Sequence, residues 1–202
     1  MIRYLLDPAN AITMIGLLCS ALGLHLALSG HLELAIAAVL WAVLADDLDG
    51  IVASRTRNRQ PEVANIGKSL DSFSDIIYGA VFPAVILIQA SEGTYLSLLA
   101  AMTLLVSGAL RLSYFNNFGL TPDGAFTGIP LFYDVPLLAI LFLARPFLPS
   151  EGFPLLLNVI FLVLAALHIS SVRIPATRGA MYGVTTIIIV TASALLVAQA
   201  VV

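Results

Sequence analysis

Asp46, Asp49, Asp71 and Asp75 stand at spacings that let four carboxylates meet. On a helix of 3.6 residues per turn, Asp46, Asp49, Gly50 and Ala53 are related as i, i+3, i+4 and i+7 and share one face, which Asp47 does not. Beyond the polar segment 54–68 the arrangement recurs, with Gly67, Asp71 and Asp75 related as i, i+4 and i+8. Carboxylates gathered in low dielectric repel, so they are protonated or have cations among them. Oxygen ligands of this kind suit Mg²⁺, Mn²⁺ or Ca²⁺. The small residues on the same faces open space for a ligand or for close helix contact. A solvated loop edge paired with Arg55, Arg57 and Arg59 is the plainer alternative, but it predicts no repeated helical spacing.

The elements that must position these acids are apolar. The chain has 202 residues, 60% of them hydrophobic and 10% charged, where a soluble domain carries about a quarter charged residues. Mean hydropathy is +1.02. Runs at roughly 11–30, 33–53, 69–90, 95–115, 129–147, 153–170 and 180–201 each approach the ~20 residues that cross a bilayer. The expectation is an all-α polytopic membrane helix bundle of about seven transmembrane helices, six to eight being compatible with the pattern, in a single domain over residues 1–202. The first run has neither a clustered basic flank nor a small-residue cleavage site, so it reads as a mature span. Cys19, the one cysteine, implies no disulfide. His25, His31 and His168 lack metal-ligand spacing, and His168 reads as a helix-packing residue. No basic and aromatic patch suits nucleic acid.

Basic residues set the orientation. With segment 54–68 in the cytoplasm, alternating spans put Arg3, Arg55, Arg57, Arg59, Lys68, Arg111, Arg173 and Arg178 on that side and only Arg145 outside. The N-terminus is then inside and the C-terminus outside. Glu33, Glu92 and Glu151 fall in the outer loops. The acids lie just within the cytoplasmic face, at one depth if the helices of Asp49 and Asp71 are antiparallel neighbours.

The spaced residues Asp46-x2-Asp49-Gly50-x2-Ala53, then Gly67-x3-Asp71-x3-Asp75, resemble the signature of the CDP-alcohol phosphotransferase family, D-x2-D-G-x2-A-R followed by G-x3-D-x3-D. Ser54 stands where that signature has arginine, and Arg55 comes one residue later. The segments "LDSFSDIIYG", "GALRLSYFN", "FTGIP" and "SSVRIP" are similar to the bacterial and archaeal phosphatidylserine synthase branch. The resemblance implies transfer of a phosphatidyl group from CDP-diacylglycerol, or an ether-lipid equivalent, to a small alcohol, L-serine above others, with release of CMP. It implies one or two Mg²⁺ or Mn²⁺ ions held by Asp46, Asp49 and Asp71, with Asp75 as general base sharing metal contact. Donor contacts would come from Asn10, Thr13, Asp49, Gly50, Ala53, Arg55 and Gly67, and the protein would be a homodimer in the cell membrane among its lipids. Asn10 and Thr13 also read as a helix start. Arg111 is a candidate for the acceptor's carboxylate or the donor's phosphate, and equally for a membrane anchor. Glycerol phosphate, inositol phosphate or another alcohol remains as alternative acceptor. A divalent-cation transporter or channel is the alternative of a different class.

Overall fold

The computed structural model describes residues 1–56, 58–176, 179 and 181–201. Arg57 and Arg178, counted above among the basic residues, lie outside that set. Helix α1 (Pro8–Leu28) opens on Asp7, whose carboxylate accepts the Asn10 amide at 3.1 Å, with Pro8 in the first turn where a missing N–H costs nothing. The cap is therefore Asp7, and the Asn10 and Thr13 side chains are left for other partners. A turn with Gly30 at φ +85° leads into α2 (Leu32–Arg55). The polar loop is shorter than the sequence suggests, because α3 (Pro61–Ile76) begins at Pro61. Its first turns are amphipathic, so no continuous apolar run marks them. A π-helical segment, Ile77–Val81, joins α3 to α4 (Phe82–Ala90) without a break.

Helix α5 (Tyr95–Phe118) follows, capped by Thr94. Strand β1 (Ala125–Thr127) then pairs antiparallel with β2 (Arg173–Pro175), placing Phe126 opposite Ile174. Between the strands lie α6 (Asp134–Ala144) and α7 (Phe153–His168), and α8 (Met181–Val201) ends the described chain. With α3 and α4 taken as one rod, the described helices make seven passes, an all-α membrane bundle. Four of these units, Pro8–Leu28, Pro61–Ala90, Tyr95–Phe118 and Met181–Val201, are long and apolar enough to cross a membrane. Helix α6 departs from the expected span 129–147. Its 11 residues rise about 17 Å, and 3-10 turns at Leu131–Tyr133 and Arg145–Phe147, beside Pro130 and containing Pro146, replace the α-helix at its ends.

Helix α2 runs through the centre, burying Ile36, Val39, Leu40 and Val43. It lies closest to α1: a Cβ at Gly23 would stand 2.1 Å from a Val39 methyl, and one at Gly16 3.2 Å from Ala45 Cβ. Such small-residue contacts bring backbones together where lipid offers no hydrophobic drive to associate. Ile15, Leu18, Met102, Val106 and Ile187 point outward and are exposed, as a lipid-facing surface requires. At the end of the bundle away from the acids, Arg145 pairs with Glu33 at 3.1 Å.

Candidate functional site

The last turns of α2 and the body of α3 bring the acids together. One carboxylate oxygen from each of Asp46, Asp49 and Asp71 lies within 4.8 Å of the other two. Asp49 is buried and is hydrogen-bonded by the Thr13 hydroxyl of α1. Asp75, one turn further along α3, stands outside that trio, and its Oδ1 accepts a hydrogen bond from the Tyr78 hydroxyl at 2.8 Å. Tyr78 is buried in the π-helical segment.

Two clefts meet at these acids. The larger, of about 400 Å³, is lined by all four acids with Asp47, Gly50, Tyr78, Arg111, Phe126 and Tyr182. Asp47, off the shared helical face as its spacing requires, takes a hydrogen bond from Thr185 of α8 at 3.3 Å. The smaller, of about 220 Å³, is lined by Asn10, Thr13, Ala53, Arg59, Gly67 and Lys68, and shares Asp49, Gly50 and Asp71 with the first. Six of the seven donor candidates thus gather around one space. Arg55 does not join them. It is exposed on the last turn of α2 and lines an adjoining recess with Gly50, Ile51, Ser54 and Tyr182.

The smaller cleft carries Lys68 and Arg59, and the spacing of the motif does not point to Arg59. Its Nη2 donates to Asp7 Oδ1 at 2.7 Å and to Asn10 Oδ1 at 2.6 Å, and its Nε donates to Asp7 Oδ2 at 3.1 Å. Gly67 faces this guanidinium so closely that a Cβ would stand 2.7 Å from Nη2 and 2.4 Å from Asn10 Oδ1. Gly50 is the opposite case, with open space where its Cβ would be. Arg59 sits in a loop, where no periodicity points to it. Its only sequence trace was a run of arginines after α2.

Arg111 of α5 lines the larger cleft with the four acids. It is 6% exposed, its guanidinium carbon lies 5.4 Å from the ring centroids of both Phe115 and Phe126, and its Nε and Nη2 have no hydrogen-bond partner among the described residues. A buried guanidinium left without acceptors is costly, so the geometry leaves room for an anion there. The two clefts thus share Asp49 and Asp71, the smaller adding Arg59 and Lys68 and the larger adding Arg111.

Residues 6–202 match the family described as CDP-alcohol phosphatidyltransferase. The chain belongs to that family. Among its relatives is the archaetidylserine synthase of Methanothermobacter thermautotrophicus, 32% identical over 174 residues that cover 84% of this chain and 70% of the relative. The CDP-diacylglycerol–serine O-phosphatidyltransferase of Bacillus subtilis is 28% identical over 144 residues, 70% of this chain and 78% of that one. The protein of the same description from Methanocaldococcus jannaschii is 29% identical over 130 residues, 64% and 57% respectively. The acid trio fits the family's use of a divalent metal: three hard oxygen donors from two rigid helices converge, and Thr13 is the neutral hydroxyl that holds one of them in place.

Proposed function

We propose that the chain transfers the lipid phosphate group of CDP-diacylglycerol, or of its ether-lipid equivalent, to the hydroxyl of L-serine, releasing CMP. The observation that carries this reading is a buried arginine, Arg111, whose Nε and Nη2 have no partner among the described residues, lining one cleft with Asp75 and the acid trio. An arginine there takes a carboxylate through two parallel hydrogen bonds, and serine presents a carboxylate beside its reacting hydroxyl. The names of the archaeal and bacterial relatives support the same acceptor.

Asp46, Asp49 and Asp71 would hold Mg²⁺ or Mn²⁺, which when bound offsets the charge of the pyrophosphate and of the departing phosphate. The nucleotide side of the donor belongs in the smaller cleft, where Gly50 and Ala53 leave space and Arg59, Lys68 and Asn10 offer donors. The acceptor belongs on the Arg111 side. The two clefts share Asp49, Gly50 and Asp71, so the acceptor hydroxyl and the donor phosphate can meet at the trio. Asp75 takes the hydroxyl proton, and the Tyr78 hydroxyl fixes its orientation. Arg55 lines a recess that adjoins the donor cleft at Gly50, and Arg59 is the arginine that lines the donor cleft itself.

This end of the bundle faces the cytoplasm. The donor's tails stay in lipid there while CMP and serine exchange with water, and the basic residues Arg59, Lys68 and Arg111 gather at the same end. Purified protein in mixed micelles with CDP-diacylglycerol, labelled serine and Mn²⁺ or Mg²⁺ should convert label to a lipid-soluble product and release one CMP per serine. Transfer to glycerol phosphate or inositol phosphate with serine left unused would replace serine as the acceptor. Metal flux into vesicles without CMP release would overturn the transferase reading.

A further inference from the structure

The larger cleft is lined by five aspartates and, among the described residues, by one basic side chain, Arg111. Four of the acids have a place in the site already: Asp46, Asp49 and Asp71 form the trio, and Asp75 accepts the Tyr78 hydroxyl. Asp47 is left over. It is half-buried on α2, stands outside the trio and forms no ion pair among the described residues. Its one hydrogen bond among those residues comes from the Thr185 hydroxyl of α8 at 3.3 Å. That hydroxyl carries a single proton, and it lies closer, at 3.0 Å, to the Tyr182 carbonyl oxygen, which can only accept. Asp47 therefore has no donor of its own. A carboxylate drawn out of water in that state is costly unless a cation reaches it, and in this cleft a bound ligand can bring one.

We infer that Asp47 receives the acceptor's ammonium: serine binds as a zwitterion, its carboxylate on Arg111 and its ammonium on Asp47, with the hydroxyl left for Asp75. The inference rests on the reading that serine is the acceptor and that Arg111 takes its carboxylate. The balance of charge in the cleft supports it. A phosphorylated acceptor brings about two negative charges to a space with five carboxylates and one guanidinium, whereas serine brings one charge of each sign to one partner of each sign. Asp47 thus selects by repulsion as well as attraction, since an acceptor without the ammonium leaves its carboxylate desolvated and unpaired. The competing role for Asp47 is purely structural, a tie from α2 to α8 through Thr185.

The test uses the full chain in mixed micelles with Mn²⁺ and CDP-diacylglycerol. It reads the serine KM beside the inhibition constant of L-glycerate, in which a hydroxyl replaces serine's ammonium. Wild type should favour serine over glycerate by about tenfold or more, the weight of hydrogen bonds to a charged group; equal binding of the two overturns the inference without any variant. Asp47→Asn should raise the serine KM about tenfold or more, and leave the glycerate constant and the CDP-diacylglycerol KM within about threefold of wild type. Thr185→Val removes the tie to α8 and keeps the carboxylate, so it should move the serine KM by less than about threefold. The inference is overturned if Asp47→Asn retains the preference for serine over glycerate. It is overturned too if the CDP-diacylglycerol KM rises in step, which would assign Asp47 to the metal, or if Thr185→Val matches Asp47→Asn, which would assign it to the helix contact. Arg111→Gln tests the underlying reading and should weaken serine and glycerate alike, since both carry the carboxylate. If it does so while Asp47→Asn keeps the preference, the ammonium site fails and the acceptor reading stands; if it moves neither constant, or wild type does not use serine, the acceptor reading itself is wrong.

Discussion

At the scale of single residues, charge and space define the site. Removing one carboxylate from the Asp46, Asp49 and Asp71 trio leaves two oxygen donors where three converge within 4.8 Å. Each of Asp46→Asn, Asp49→Asn and Asp71→Asn should lower CMP release by roughly a hundredfold or more, the scale seen when one electrostatic partner of a reacting group is lost. Mn²⁺ titration followed by electron paramagnetic resonance should show weakened binding in the same variants. Normal Mn²⁺ affinity in all three would remove the trio as the metal site. The two glycines make opposite cases. Gly67→Ala would push its methyl into Arg59 Nη2 and Asn10 Oδ1, breaking their hydrogen bond while the fold yields at flexible side-chain ends, so the CDP-diacylglycerol KM should rise by about threefold to tenfold. Gly50→Ala meets nothing and should leave stability equal or better by up to about 1 kcal/mol. Gly50→Leu should raise the donor KM by bulk, and added metal should not rescue it. If Gly67→Ala and Gly50→Leu both bind donor as wild type does, the nucleotide does not lie in the smaller cleft.

At the scale of elements, the pieces carrying the acids were legible and the pieces joining them were not. Asp46, Asp49, Asp71 and Asp75 repeat with the helical period, so the sequence alone places them on facing surfaces. Asp47, off that face by its spacing, stands outside the trio and bonds Thr185, yet it lines the larger cleft with the four acids. Arg59 and its ties to Asp7 and Asn10 span 52 and 49 positions of sequence through a loop, and no local pattern encodes such a pairing. The Asp134 and His168 contact spans 34 positions and is hidden likewise; His168 read as packing because a lone histidine gives no ligand spacing. The π-helical segment and the short α6 were also invisible, since apolar composition fixes that a segment is buried in lipid and not how its turns are wound. The junction of β1 with α7 gives this scale its test. Gly128 has φ +72°, and a Cβ there would lie 2.0 Å from the His168 carbonyl oxygen. Gly128→Ala should therefore destabilise the protein by well over about 1 kcal/mol, read as a lower thermal midpoint in detergent. A midpoint equal to wild type would mean the wall of the larger cleft is not fixed at this point.

At the scale of the whole molecule, the bundle solves one problem of placement. Its outer surface is apolar along α1, α5 and α8, its central helix α2 is wrapped on several sides, and its charged groups are concentrated at one end around two connected clefts. An ionised group deep in a bilayer is expensive, and gathering the acids where the last turns of α2 meet the body of α3 keeps them toward one end of the bundle while the donor's tails remain among lipids. The central claim is that one end of this site grips the donor through the acids and the other grips the acceptor's carboxylate through Arg111. Steady-state kinetics of Arg111→Lys against wild type, with serine and CDP-diacylglycerol varied in turn in mixed micelles, tests it most directly. Lysine keeps the charge and loses the two parallel hydrogen bonds, so the serine KM should rise about tenfold or more while the CDP-diacylglycerol KM stays near its wild-type value. A serine KM that does not change, or a CDP-diacylglycerol KM that moves first, would contradict the account.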